Sequence, residues 1–222
     1  LTGIPGTAGF IGKFYLFNAV VQADLAIVDG RIQAIAPDVG TSRELIDATG
    51  LHVFPGVVDA HVHFNEPGRT DWEGAGTGSR AFAAGGGTTF VDMPLNCSPV
   101  TTTRRALKAK LDAVKGKLTV DAAFWGGVVP GNLGELRPLA EDGVVGFKAF
   151  LTHSGLDEFP NATREDLEAA MPVIASLGLP LIVHAELDPC EEAGADPRKF
   201  ASYLASRPAS MEVRAIRLLI DL

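Results

Sequence analysis

The chain has 222 residues, 46% of them hydrophobic and 21% charged, which excludes a disordered polymer and leaves enough length for a buried core. A formal net charge of -8 and a pI near 5.1 argue against a broad basic surface for nucleic acid or anionic lipid, so small molecules or proteins are the expected partners. Two cysteines, Cys97 and Cys190, form no C-x-x-C and no disulfide framework, which fits a reducing cytoplasm, and no uninterrupted apolar run reaches the roughly 18 residues of a membrane span.

Residues 1–22 form an apolar leader rich in glycine and aromatics. Residues 23–54 read as short strands: Asp24 to Val28, a turn at Asp29-Gly30, Arg31 to Ala36, then Leu45 to Ile46 and Leu51 to Phe54. From residue 55 to residue 222 strand and helix alternate. Strands are expected to start near Val57, Thr89, Val120, Val145 and Leu181, spaced by the roughly 30 residues that a βαβ unit needs. Helices fit at Trp72 to Ala84, Thr103 to Val114, Leu133 to Glu141 and Arg164 to Leu177, the last with Thr163 as N-cap and Asp166 in its first turn. Further helical stretches lie near Pro197 to Ala205 and Ala209 to Leu222.

The pattern predicts an α/β fold, a partial (β/α)₈ barrel with a piece of a small β-sandwich before it. A closed barrel typically takes about 250 residues, so the stretch after Pro55 suffices for about five of eight units. The first residue is leucine, and the apolar helical run at the end lacks a capping glycine. Both ends are expected to be cut, and an open sheet with two unpaired edges points the same way.

Two histidines, His61 and His63, close the apolar run Val53 to Ala60. On a strand, side chains at i and i+2 share a face, so both imidazoles can reach one metal ion from the strand's C-terminal end. A hydrogen-bonded structural pair is the alternative. In the fourth strand Lys148 interrupts Val144 to Leu151, where a buried parallel strand should be continuously apolar. It is either a lysine that snorkels or pairs with an acid, or an amine with a depressed pKa that takes up CO₂ to become a metal-bridging carbamate. The fifth strand, Leu179 to Glu186, delivers His184 at its C-terminal end, the end that carries the active site in barrel enzymes.

These residues carry a resemblance over about Ala23 to Glu186. The chain resembles the amidohydrolase superfamily, in the branch of cyclic amidases with dihydroorotases, hydantoinases and allantoinases. Three stretches are most similar to the allantoinase group: His61-Val62-His63-Phe64-Asn65-Glu66-Pro67-Gly68-Arg69 with Trp72-Glu73-Gly74, then Asp92-Met93-Pro94-Leu95-Asn96, then Ser154-Gly155-Leu156-Asp157-Glu158-Phe159. Dihydroorotases usually carry arginine where Asn65 stands, and Asn65 suits an uncharged ring better.

The resemblance implies two divalent metal ions, zinc in the first place with manganese, cobalt or iron as alternatives. His61 and His63 would bind one ion, His184 the other, and Lys148, as N6-carboxylysine, would bridge them. It implies hydrolysis of a cyclic amide, allantoin to allantoate, with Asn65, Asn96 and Ser154 as substrate contacts. Turn-forming or capping roles are equally open for Asn96 and Ser154. Asp59 either orients a histidine from behind or ends its strand. His52 and His153 have no assigned role. A further metal-binding histidine and a later aspartate, ligand and proton carrier at once, are also implied. No histidine follows His184, so the 222 residues alone are expected to bind metal poorly and to be nearly inactive.

The same resemblance implies a homotetramer that acts on a small molecule, away from membranes and nucleic acid. The competing readings are a hydantoinase or dihydropyrimidinase and a non-catalytic barrel serving as a scaffold. Residues 1–21 are similar instead to an antiporter-like membrane subunit of respiratory NADH dehydrogenase, and read as a join between unrelated stretches.

Overall fold

The computed structural model describes residues 24–188, 196 and 198–222. The leader and its join lie outside the described residues. The chain divides into two compact units, one ending at Gly56 and the other spanning Val57–Leu222.

In the first unit β1 (Asp24–Val28) and β2 (Arg31–Ala36) pair as an antiparallel hairpin. Asp29 and Gly30 turn the chain with φ of 50° and 72°, the left-handed pair whose twist matches that of the flanking strands. The strands expected at Leu45 to Ile46 and Leu51 to Phe54 do not form. Local bonds take over there: Thr49 N–H donates to the Asp47 carboxylate at 2.9 Å and Leu51 N–H to the Ala48 carbonyl at 2.9 Å. Apolar character alone did not supply the partner strand that a ladder requires.

The second unit runs β3 (Val57–Val62), α1 (Ala75–Ala84), β4 (Gly87–Asp92), α2 (Arg104–Val114), β5 (Asp121–Phe124) and β6 (Gly126–Gly127). A 3₁₀ turn (Leu133–Glu135), α3 (Leu136–Glu141), β7 (Phe147–Phe150), α4 (Arg164–Ser176), β8 (Leu181–His184), α5 (Phe200–Ser206) and α6 (Ser210–Ile220) follow. All strand pairs here are parallel, in the orders β3-β4-β5 and β6-β7-β8.

Trp125 joins the two sheets. Its N–H donates to the Asp92 carbonyl on one side at 3.0 Å, while Gly126 N–H donates to the Gly146 carbonyl on the other at 2.9 Å. The stretch 121–127 is therefore one strand that passes from β4 to β7, and five strands form one parallel arc. A Cβ at Gly126 would stand 2.9 Å from the Phe147 ring and one at Gly127 2.8 Å from the Thr102 methyl, which explains the paired glycines at this crossing.

Each strand begins within about two residues of its expected start, inside the usual slack of element boundaries. The helices differ more. Trp72 ends a turn and residues 73–74 are irregular rather than the start of α1, because the cap of that helix comes from a distance: Ala75 N–H donates to the Glu66 carboxylate at 2.9 Å. Pro138, which lacks the N–H to reach back four residues, leaves the stretch before it in a 3₁₀ turn. At α4 the expected Thr163 cap is present as a full capping box with Asp166.

Alternation along the strands sorts side chains to two sides. Phe90, Phe147 and Ala149 pack outward against Leu107, Leu136, Leu139, Leu167 and Ile174 of the helices. Val91, Met93, Phe150 and Ile182 pack on the opposite, inner side with Trp125, Val129 and Phe159. Lys148, between Phe147 and Ala149, and His184, two residues after Ile182, are in phase with the inner set.

Candidate metal centre

Several bonds fix the end of β3. The register with β4 is interrupted between Asp59 and Val62, and there the Trp125 indole N–H reaches the Ala60 carbonyl at 2.9 Å. Asp59 accepts the His61 backbone N–H at 2.9 Å, so its carboxylate shapes the strand end rather than holding an imidazole. The rings of His61 and His63 lie 5.2 Å apart, tilted by 53°.

The loop that follows is anchored on β4 and its neighbours. Phe64 N–H donates to the Asp92 carboxylate at 2.8 Å, and Asp92 forms a buried ion pair with Lys110 of α2. The Lys110 ammonium also donates to the Glu66 carbonyl at 3.2 Å, and the Glu66 carboxylate pairs with Lys117. Burial pushes the Asp92 carboxyl up, against the pull of Lys110 and of the backbone N–H groups it accepts.

Lys148 is 5% exposed, and its ammonium lies 4.8 Å from the centre of the Phe150 ring. No carboxylate pairs with it among the described residues, and burial lowers its pKa below the ordinary lysine value. The paired-lysine alternative thus finds no partner among the described residues. Phe150 also stacks on His184, with ring centres 4.9 Å apart and planes within 16°. His184 Nε2 lies 3.1 Å from a Glu186 carboxylate oxygen.

His61 and His63 feel the charges around them. The His61 pKa is lowered by burial first and then by the charges of Lys148 and His184, with Asp59 opposing. That of His63 is lowered by burial, then by His61, Lys148 and Lys110, while the Leu95 carbonyl favours the protonated ring. His61 and His63 lie at the end of the first strand and His184 at the end of the last, where it shares the Phe150 ring with Lys148.

The set fits divalent metal. His63 Nδ1 is buried with no hydrogen-bond partner of normal geometry, although the Leu95 carbonyl lies near enough to act on the ring. Imidazoles and an unpaired, desolvated amine are the donors such an ion or its carbamate bridge requires. Among the described residues no three His, Cys, Asp or Glu side chains stand together as a ready-made metal cluster. Three of the expected donors are histidines that do not stand together as one such cluster, and Lys148 becomes a ligand only after carboxylation.

The remaining predicted residues separate into two kinds. Asn65 is 7% exposed, yet its side-chain amide forms no hydrogen bond among the described residues. Asn96 turns the chain with φ of 70°, and Ser154 closes its own loop by donating to the Phe159 carbonyl at 2.6 Å and accepting the Leu156 N–H at 3.2 Å. His153 accepts the Gly155 N–H at 3.1 Å and stays exposed, and His52 lies in the first unit. Sequence reasoning missed Asp92, Lys110, Phe150 and Glu186. Lys110 was detectable, because it lies on the same helical stripe as Leu107 and Val114.

The amidohydrolase family model matches residues 52–219. A protein named allantoinase from Solibacter usitatus is 53% identical over 213 residues, covering 92% of this chain and 46% of that protein. One of the same name from Desulfitobacterium hafniense is 46% identical over 210 residues, covering 91% and 47%. Among solved structures, the L-hydantoinase (dihydropyrimidinase) of Arthrobacter aurescens superposes with a TM-score of 0.79 at 34% identity, covering 89% of this chain and 46% of that one. The chain thus spans about half the length of the relatives it matches, and its parallel strands and helices belong to the TIM-barrel type of α/β fold.

Proposed function

The chain belongs to the amidohydrolase family, and from that premise we propose that it serves the metal-dependent hydrolysis of a cyclic amide, with allantoin opened to allantoate. The five-stranded arc corresponds in this reading to about five of eight barrel units, preceded by part of a β-sandwich over residues 23–54. His61, His63 and His184 would hold two divalent ions, zinc in the first place, and Lys148, as N6-carboxylysine, would be shared between them. When bound, the ions polarise the ring carbonyl and lower the pKa of the attacking water.

The single observation that supports this reading is a buried Lys148, without a carboxylate partner among the described residues, that shares the Phe150 ring with His184 and whose charge reaches His61. The chain's own residues do the positioning. Lys110 and Asp92 hold the loop that carries His63 and Asn65, and Phe150 backs both Lys148 and His184. The free amide of Asn65 supports recognition of an uncharged ring carbonyl or N–H, where a carboxylated ring would call for a cation. Asn96 and Ser154 are proposed to contribute through the loops they shape. The likeness to allantoinases at 53% and 46% identity favours allantoin over hydantoin.

Among the described residues no helix is long and apolar enough to cross a membrane. We place the enzyme in the cytoplasm as a homotetramer and assign residues 1–21 no part in its chemistry. The test is turnover of allantoin, hydantoin and dihydrouracil by the protein as its gene encodes it, beside the 222-residue polypeptide alone. Preference for allantoin by the former and negligible turnover by the latter are expected. Preference for hydantoin or dihydrouracil overturns the substrate, and metal-dependent turnover by the 222 residues overturns the need for further ligands.

A further inference from the structure

His184 is held on two sides by residues with no part in the family motifs set out above. Phe150 lies flat against its ring at 4.9 Å, and one oxygen of Glu186 lies 3.1 Å from its Nε2. The other Glu186 oxygen accepts a bond from the Arg207 guanidinium at 2.5 Å. Arg207 follows α5, 21 residues further along the chain, so the contact is built by tertiary structure rather than by neighbouring sequence. Glu186 is itself 9% exposed, and both of its oxygens are engaged.

An ionised carboxylate only accepts hydrogen bonds, so the proton of a neutral imidazole facing it must sit on Nε2. The lone pair is then on Nδ1. We infer that Glu186, clamped by Arg207, is the positioning residue that commits His184 to bind its metal through Nδ1, with Phe150 fixing the plane of the ring. This deepens the metal reading above and rests on it. Carboxylates behind a ligating histidine fix its tautomer and raise its basicity, and their loss typically weakens metal binding by about 10- to 100-fold.

The role can be read without catalysis. In the metal-free protein as its gene encodes it, labelled with ¹⁵N-histidine, the ring nitrogens report the tautomer, and His184→Gln identifies the His184 signal. The inference predicts the Nε2–H form in the wild type and a mixture of tautomers in Glu186→Gln, a nearly isosteric change that preserves packing. Titration with Co²⁺ alone should show about 10- to 100-fold weaker uptake at one of two sites in Glu186→Gln, with a smaller loss in Arg207→Gln.

A wild-type His184 in the Nδ1–H form overturns the inference, as does a tautomer and Co²⁺ affinity unmoved by Glu186→Gln. If Glu186→Gln fails to fold, Arg207→Gln alone decides: unchanged affinity overturns the clamp and weaker uptake supports it. A wild type that takes up no Co²⁺ overturns the underlying metal reading instead, which keeps the two failures distinct.

Discussion

Lys148 carries the largest chemical demand in the molecule. A primary amine in that position is desolvated, faces an aromatic ring and lowers the pKa of the histidines on the same inner face. Carboxylation would relieve this: the ammonium gives up a proton, the freed Nζ lone pair attacks the carbon of CO₂, one C=O π bond breaks as the N–C bond forms, and the nitrogen loses a second proton, so that an anion replaces a cation. Protein supplied with ¹³C-bicarbonate and zinc should therefore show one carbamate carbon resonance that is lost in Lys148→Met, together with most bound zinc. A wild type without that resonance, still holding two zinc ions, would show that the bridge is something else. Asn65 differs in that its buried side-chain amide makes no hydrogen bond among the described residues, which leaves it available to the neutral ring proposed above.

At the scale of elements, the loop after β3 depends on the Asp92–Lys110 pair between the end of β4 and α2. Removing one partner of a buried pair leaves an uncompensated charge and costs about 3–5 kcal/mol, whereas replacing both is often close to neutral. Lys110→Met should thus destabilise the protein by about that amount in denaturant unfolding, and Lys110→Met with Asp92→Asn should recover most of it. The asparagine oxygen can still accept the Phe64 N–H. Additive losses in the double variant would mean that the two residues act separately. Because Lys110 also holds the Glu66 carbonyl, and the Glu66 carboxylate caps α1, the same change should loosen the start of that helix.

Taken as a whole, the unit after Gly56 is an arc of five parallel strands whose inner face gathers residues from its first, fourth and fifth strands. Period-two alternation and the spacing of apolar runs made this arc legible in the sequence, and strand-end histidines pointed to the residues from which the metal centre is proposed. The crossing at Trp125 was not. Its indole bond to Ala60 and the glycines beside it depend on which strands become neighbours, and that is decided in three dimensions. Glu186 stayed hidden for a related reason. The His-Ala-Glu spacing is visible, but its partner Arg207 arrives only through the turn after α5. The strands expected at Leu45 to Phe54 failed because local turn bonds compete with a ladder whenever no neighbour is supplied, and composition cannot reveal the neighbour.

The measurement that tests the account most directly is metal content and allantoin turnover of the protein as its gene encodes it, before and after stripping with a chelator and again after zinc is restored. The account predicts two ions per chain, loss of turnover on stripping and its return with zinc. Turnover that persists in protein free of metal, or a well-folded protein that never takes up metal, would contradict it, and the latter would make the barrel a scaffold.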